Sequence, residues 1–300
     1  MRVVSLLPAA TETLYALGVE PVGVSAACDY PPPAREVPAV TRSRVSGEGA
    51  SADVNEAVAD AVAAGGVFDL DREALRGADP DLVVTQGVCD VCAVDDGLVR
   101  EAVTEMDLDA EVLSTHAHTL DGALAEMERI GAAAGRAERA SDLVATLRER
   151  VGAVAERAPT ERPRTLLVEW LDPIVVAGHW GPELVGRAGG TAGLAAAGDP
   201  SEPCEWAAVR EYDPEVVVAA PCGFGVEQTL ANAAELTDRP GWSDLAAVRA
   251  EAVYTLDGHH LVNRPGPRLA ESVEHLAGLL HPATFDSPPR SVARPLDTGA

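Results

Sequence analysis

Hydrophobic and polar positions follow two rhythms along this chain. From His118 to Arg157, apolar residues at Leu120, Leu124, Met127, Ile130, Ala134, Ala137, Leu143, Leu147, Val151 and Val154 recur at three- and four-residue steps, the period of an amphipathic helix. Gly131 to Gly135 interrupts that stretch, since each glycine costs on the order of 1 kcal/mol of helix stability relative to alanine, and the spanning helix starts near Ala137. On either side the rhythm changes to short apolar runs separated by helical segments. Val3 to Leu6, Asp81 to Thr85 and Ala110 to Ser114 read as buried strands before the helix, and Arg164 to Val168, Glu215 to Ala219 and Val253 to Leu256 after it. Thr41 to Ser51, polar and glycine-containing, reads as a mobile connection, and the proline- and serine-rich chain from Pro282 onward is expected to fray.

The two flanks are copies of one plan. EALRGADPDLVVTQ, Glu73 to Gln86, matches AAVREYDPEVVVAA, Ala207 to Ala220, as short helix, acidic-proline turn and apolar strand. Copies more than a hundred residues apart mean two lobes, because solenoid repeats have much shorter periods. Strands alternating with helices give each lobe a parallel sheet covered on both faces. The predicted fold is α/β: two doubly wound, Rossmann-like lobes over 1–117 and 159–281, a connecting helix over 118–158 and a flexible tail over 282–300. Ligands of such sheets sit outside the carboxyl ends of the strands, so two facing lobes imply a shared cleft. A stiff connector implies a cleft that is largely preformed.

Composition narrows the partners. A net charge of −25, with arginine as the only cationic side chain besides histidine, repels phosphate backbones and anionic membranes and argues against nucleic acid. The same acidity suits life at high salt, where a Debye length of about 3 Å near 1 M screens the repulsion. The opening RVVSLLPAATETLYALG is already strand and helix rather than a charged segment, apolar core and cleavage site, which implies a cytoplasmic protein, or an extracellular one if the start site lies upstream. Five cysteines, an odd set, do not form a disulfide framework in a reducing compartment.

The residues that follow the strands carry the candidate chemistry. Pro8, Ala9, Thr11, Tyr30, Gln86, Cys89, Cys92 and His116 come from the first lobe, and Trp170, Asp172, His179, Trp180, Cys222, Phe224, His259, His260, Asn263 and Arg264 from the second. Flat aromatic rings in loops suit a large, flat, mostly apolar ligand; they also suit the capping of a lobe's own core. Cys89-Asp90-Val91-Cys92 is a CxxC without the second pair of a structural zinc site and without a thioredoxin-like context. His259 and His260 are adjacent, and in extended backbone they point to opposite sides and do not chelate one ion. HExxH, GxSxG and GxxxxGK[ST] are all missing. No residue is assigned a catalytic or metal-ligating role.

From Arg2 to His281 the chain resembles the substrate-binding proteins of cobalamin and iron-siderophore ABC importers, a family in which one long helix joins two lobes. RVVSLLPAATETLYALG is similar to the family's first strand and helix, DPDLVV and DPEVVV to its paired strand starts, and RPGPRLAESVEHLAGLLHP to its closing helix. SLLPAATE, TQGVCDVCAV and the loops at Trp170 and Trp180 resemble the cobalamin branch, in a leaderless form. The resemblance implies a non-enzymatic monomer that binds cobalamin or a related corrinoid between its lobes, for uptake, delivery or salvage, with an ABC permease as a partner and no insertion in the membrane. It places Pro8 to Thr11, Tyr30, Gln86 to Cys92, Trp170 to Asp172, His179, Trp180, Phe224, Asn263 and Arg264 around the corrin, with a histidine or cysteine as axial cobalt ligand. Two alternatives stand beside it: a ferric-siderophore or haem binder, and an enzyme using Cys89 and Cys92 for metal or thiol chemistry.

Overall fold

The repeat read from the sequence is also a repeat of hydrogen bonds. A computed structural model describes residues 1–88 and 93–297. In each lobe a short helix, Arg72–Ala78 or Trp206–Tyr212, ends on a left-handed aspartate, Asp79 at φ 44° and Asp213 at φ 47°. The proline that follows turns the chain into a buried strand, Leu82–Gln86 or Val216–Ala219. An arginine at the head of the neighbouring strand then takes the freed carbonyls. Arg2 donates through Nε and Nη2 to Ala78 O at 2.9 and 2.6 Å, and Arg164 donates through Nε to Tyr212 O at 3.1 Å and through Nη2 to Asp213 O at 2.8 Å. A cation at a helix C-terminus satisfies its orphan carbonyls and its dipole together.

These strands anchor two sheets. The first is parallel throughout, in the order Gly23–Val24, Val3–Ser5, Leu82–Gln86, Glu111–Thr115. The second has a parallel centre of Arg164–Trp170, Val216–Ala219 and Val253–Leu256. Antiparallel strands flank it, Val175–Val176 on one side and Ala293–Pro295 on the other. The expected all-parallel sheet is therefore mixed in the second lobe, because the few residues after Trp170 allow a hairpin but not a crossover. The tail departs from expectation too: Ala293 and Leu296 are buried, and the last strand pairs with Val253–Leu256. Among the described residues no helix is long and apolar enough to cross a membrane.

The connector is a helical hairpin. Leu120–Ala133 and Ala137–Arg157 are separated by a turn in which Gly135, at φ 67°, donates to Ala132 O at 3.1 Å and Arg136 donates to Gly131 O at 2.6 Å. That pair of bonds is a Schellman stop. The second helix, about 31 Å long at 1.5 Å per residue, folds back along the first. At the crossing a Cβ on Gly131 would lie 2.3 Å from the Ala140 Cβ, so glycine is what lets the backbones approach. Helix Leu120–Ala133 packs on Pro8–Ala16 of the first lobe, while Ala137–Arg157 packs on Leu269–Leu280 and Gly181–Arg187 of the second. The largest core cluster runs through this hairpin, from Leu120, Leu124 and Met127 through Val144, Leu147 and Val151 to Val273 and Leu276.

Candidate functional site

The carboxyl ends of the two sheets meet along a seam. At one end of it, the segment expected to be a mobile connection is bonded to the opposite lobe. Thr41–Ser43 is a strand paired with Phe68–Leu70. Gly47 O accepts from Gln228 Nε2 at 2.6 Å and Gly49 O from Asn232 Nδ2 at 3.3 Å. Ser51, fully buried, donates from its backbone N–H to Glu235 at 2.9 Å, places its Oγ against the same carboxylate, and accepts from Asp172 N at 3.0 Å. Polar loop residues become ordered here because their partners lie across the cleft.

Further along the seam lies a charged cluster. Arg264, 7% exposed, donates through Nη1 to Glu12 at 3.0 Å and lies 2.9 Å from Asp29 Oδ1. Asp29 Oδ1 is buried and ion-paired with that guanidinium. Asp29 Oδ2 lies 2.7 Å from His259 Nε2 and 3.1 Å from His260 Nε2. The adjacent histidines thus converge, contrary to the extended geometry expected of them. They sit in a turn whose backbone N–H groups both donate to Asp257 Oδ1, at 3.0 and 3.0 Å, an aspartate side chain bonding its own backbone two and three residues on. Among the described residues this is a set of three His, Cys, Asp or Glu side chains whose ligating atoms all lie within 4.8 Å of one another, although the sequence assigned no metal ligand.

Burial works against ionising Asp29, but the His259 and His260 donors and the Arg264 guanidinium overcome it and hold the carboxyl well below its usual range. The bonds from Asp257 and Asp29 push the His260 imidazole up to about 9 against the effect of burial. Burial raises Glu12, with Arg264 opposing. It also pushes the Cys28 thiol up to about 11, against the bond from Thr11.

Aromatic rings line the second lobe's side. Trp170 meets Phe224 at 5.0 Å between centroids, and its Nε1 is buried without a protein partner. Trp180 donates to Val262 O at 2.6 Å and stacks on His179, whose Nδ1 lies 3.4 Å from Nδ1 of His118 at the start of the connector. On the first lobe's side, Tyr30 has the Arg268 guanidinium 4.2 Å above its ring and His260 at its edge.

The predicted site residues separate into groups. Tyr30, His259 and Arg264 gather at the charged cluster, and Trp170, Phe224, His179 and Trp180 form the aromatic set. Asp172 pairs with Arg239 at 3.2 Å. Asn263 donates to Ala220 O at 2.9 Å and Gly258 O at 2.8 Å, fastening its loop. Thr11 is fully buried and bonded to Ser5 Oγ, Leu7 O and Cys28 Sγ; Phe224, 1% exposed, is core. Pro8 and Ala9 open the first helix, and Ala9 lies against Gly266 of the other lobe. Gln86 is buried at a strand end, and His116 is exposed. Cys89 and Cys92 lie outside the described residues. Sequence reasoning missed Glu12, Asp29 and Asp257, because single acidic residues carry little signal in a chain so rich in them; the Asp257-Gly258-His259-His260 turn was the readable clue.

Two α/β lobes, a helical hairpin and a seam formed at strand carboxyl ends define a two-lobed binding protein. A family model described as periplasmic binding protein matches residues 3–259, and the chain belongs to that family. It is 27% identical over 294 residues, covering 95% of this chain and 81% of the relative, to an uncharacterized ABC transporter substrate-binding lipoprotein, YvrC, of Bacillus subtilis. Among solved structures it shares its fold with a periplasmic heme binding protein from Pseudomonas aeruginosa (TM-score 0.73, 21% identity, 97% and 96% of the two chains). The periplasmic heme-binding protein RhuT from Roseiflexus (0.70, 22%, 94% and 98%) and the periplasmic vitamin B12 binding protein BtuF of Vibrio cholerae (0.66, 23%, 94% and 97%) are similar in the same way. The expectation of a cytoplasmic protein does not stand: the family is one of periplasmic binding proteins, and the Bacillus relative is a lipoprotein. An apparent lack of a leader was too thin a basis for it.

Proposed function

We propose that this protein is the binding component of an ABC importer and that its ligand is cobalamin or a related corrinoid, held between the lobes and passed to a permease. Proteins of this family bind substrates and are not enzymes, so the loops serve recognition rather than reaction. The observation that carries the choice of ligand is the pairing of the seam arginines. Arg264 is engaged by Glu12 and Asp29 and Arg239 by Asp172, while Arg268 is held by Glu271 through Nε and by the Tyr30 ring and keeps one guanidinium nitrogen, Nη1, without a partner. An anionic ferric siderophore, or haem with two propionates, calls for several unmatched cations, and of these three arginines only Arg268 keeps a buried nitrogen without a partner. A corrin edged with neutral amides instead calls for flat rings and hydrogen-bonding groups, which Tyr30, Trp170 with its unpartnered Nε1, and Trp180 supply. A chain of net charge −25 adds a field that favours the neutral ligand.

The test is a competition. Purified protein is titrated calorimetrically, and by the shift in ligand absorbance, with cyanocobalamin, haemin and a ferric hydroxamate siderophore. Cobalamin is expected to bind at about micromolar Kd or tighter, roughly −8 kcal/mol, and to outcompete the other two. Trp170→Ala is expected to weaken it about 10-fold or more through the lost ring contact. No binding at millimolar cobalamin, or preference for haem, refutes the corrinoid reading.

A further inference from the structure

The charged cluster on the seam is built like a metal site. His259 Nδ1 lies 3.1 Å from Gly223 O, and His260 Nδ1 lies 3.1 Å from Asp257 Oδ2, so each Nδ1 carries a hydrogen and donates it away from the cluster. Both Nε2 atoms converge on Asp29 Oδ2, at 2.7 and 3.1 Å, which accepts their hydrogens, and Arg264 Nη2 lies 3.2 Å from His259 Nε2; a bound ion would take the place of those two Nε2 protons. Imidazoles steered by a carbonyl or carboxylate on the far nitrogen are the outer-shell device that orients histidine ligands around zinc. The backbone is fixed as well, since Asp257 Oδ1 takes both N–H groups. The cluster is rich in carboxylates: Glu12 and Asp29 pair with Arg264, Asp257 and Asp29 with His260, and the Arg268 guanidinium is turned to Glu271 and Tyr30.

We propose that Asp29 Oδ2, His259 Nε2 and His260 Nε2 bind one divalent transition-metal ion of the zinc class, clasping the two lobes across the seam. Two imidazoles and a carboxylate select Zn²⁺, Co²⁺ or Ni²⁺ over Ca²⁺ and Mg²⁺, which want oxygen throughout. Tetrahedral bonds of about 2.0–2.2 Å put ligand atoms about 3.4 Å apart. The imidazoles therefore need to retreat from Asp29 by less than about 1 Å from their 2.7 and 3.1 Å positions. The fourth position stays open for water or for a donor atom of a bound ligand. Asp29 stands on one lobe and the histidines on the other, so the ion binds only the closed arrangement and favours closure by mass action. The inference goes beyond the corrinoid reading and does not depend on it, because the probe is a bare cation.

The full chain, stripped with chelator and free of any tetrapyrrole, is titrated with Zn²⁺ by calorimetry and with Co²⁺ by visible absorption. One Zn²⁺ per chain is expected, at about micromolar Kd or tighter. The Co²⁺ spectrum should show nitrogen and oxygen ligation without a thiolate charge-transfer band. His259→Ala and His260→Ala should each weaken binding about 10- to 100-fold, with circular dichroism verifying their folding; His259→Gln and His260→Gln are the second pair if the alanine variants do not fold. Absence of a saturable site, a site unchanged by the histidine substitutions, or a Co²⁺ spectrum dominated by thiolate overturns the proposal.

Discussion

His179 shows how one residue reads both backbone and charge. It holds φ 48°, a left-handed conformation that asparagine adopts far more readily than most side chains. Burial, and then the neighbouring His118, lower its pKa from the ordinary 6.5. The unfolded chain therefore takes up this proton first as the pH falls. The stability contributed by neutral His179 is complete above about pH 6.5 and is lost as the pH drops through 6.5 toward the lower folded value. His179→Asn keeps the backbone and removes the titration. Denaturant midpoints measured from about pH 7 down to about pH 5.5 should fall less steeply in the variant than in the wild type; equal slopes would show that the pair is not felt by the fold. The metal-like cluster teaches the same lesson. Asp29 and His259 are separated by most of the chain, and no local pattern announces that they lie 2.7 Å apart.

At the scale of elements, the hairpin depends on two glycines for different reasons. Gly135 is needed for its φ of 67°, and Gly135→Ala should cost about 1–2 kcal/mol, the penalty of a left-handed alanine. Gly131 is needed for space, with the Ala140 Cβ 2.3 Å from where its own would stand. Gly131→Ala should cost about 1–3 kcal/mol through overpacking, and the double variant Gly131→Ala with Ala140→Gly should recover part of that loss. Urea unfolding checks both. An interruption at 131–135 was legible because glycine disfavours helix. Whether the chain continues roughly straight or folds back was not, because that depends on which faces find partners: the first helix on Pro8–Ala16, the second on Leu269–Leu280.

The whole molecule is held shut by polar contacts and opened by charge. Ser51 sits between Glu235 and Asp172 N of the opposite lobe. Ser51→Ala leaves two groups unpaired at a buried position and should cost about 1–3 kcal/mol, with a larger radius of gyration by small-angle scattering if the lobes separate. A net charge of −25 works against the compact state through self-repulsion. The thermal midpoint should therefore rise from about 0.1 M to about 1 M NaCl as the Debye length shortens from about 10 to about 3 Å; a midpoint independent of salt would mean the acidic surface is already neutralised. The sequence by itself determined the two α/β halves, their DPDLVV and DPEVVV strand starts and the helical stretch between them. Those are local periodicities, and each is set by residues close together in the chain. Only the tertiary structure decided the hairpin, the antiparallel strands of the second sheet, the ordering of 41–51 and the joining of Asp29 with His259 and His260. Each of these depends on surfaces brought together from distant parts of the chain, where packing and charge pairing, rather than local propensity, set the outcome.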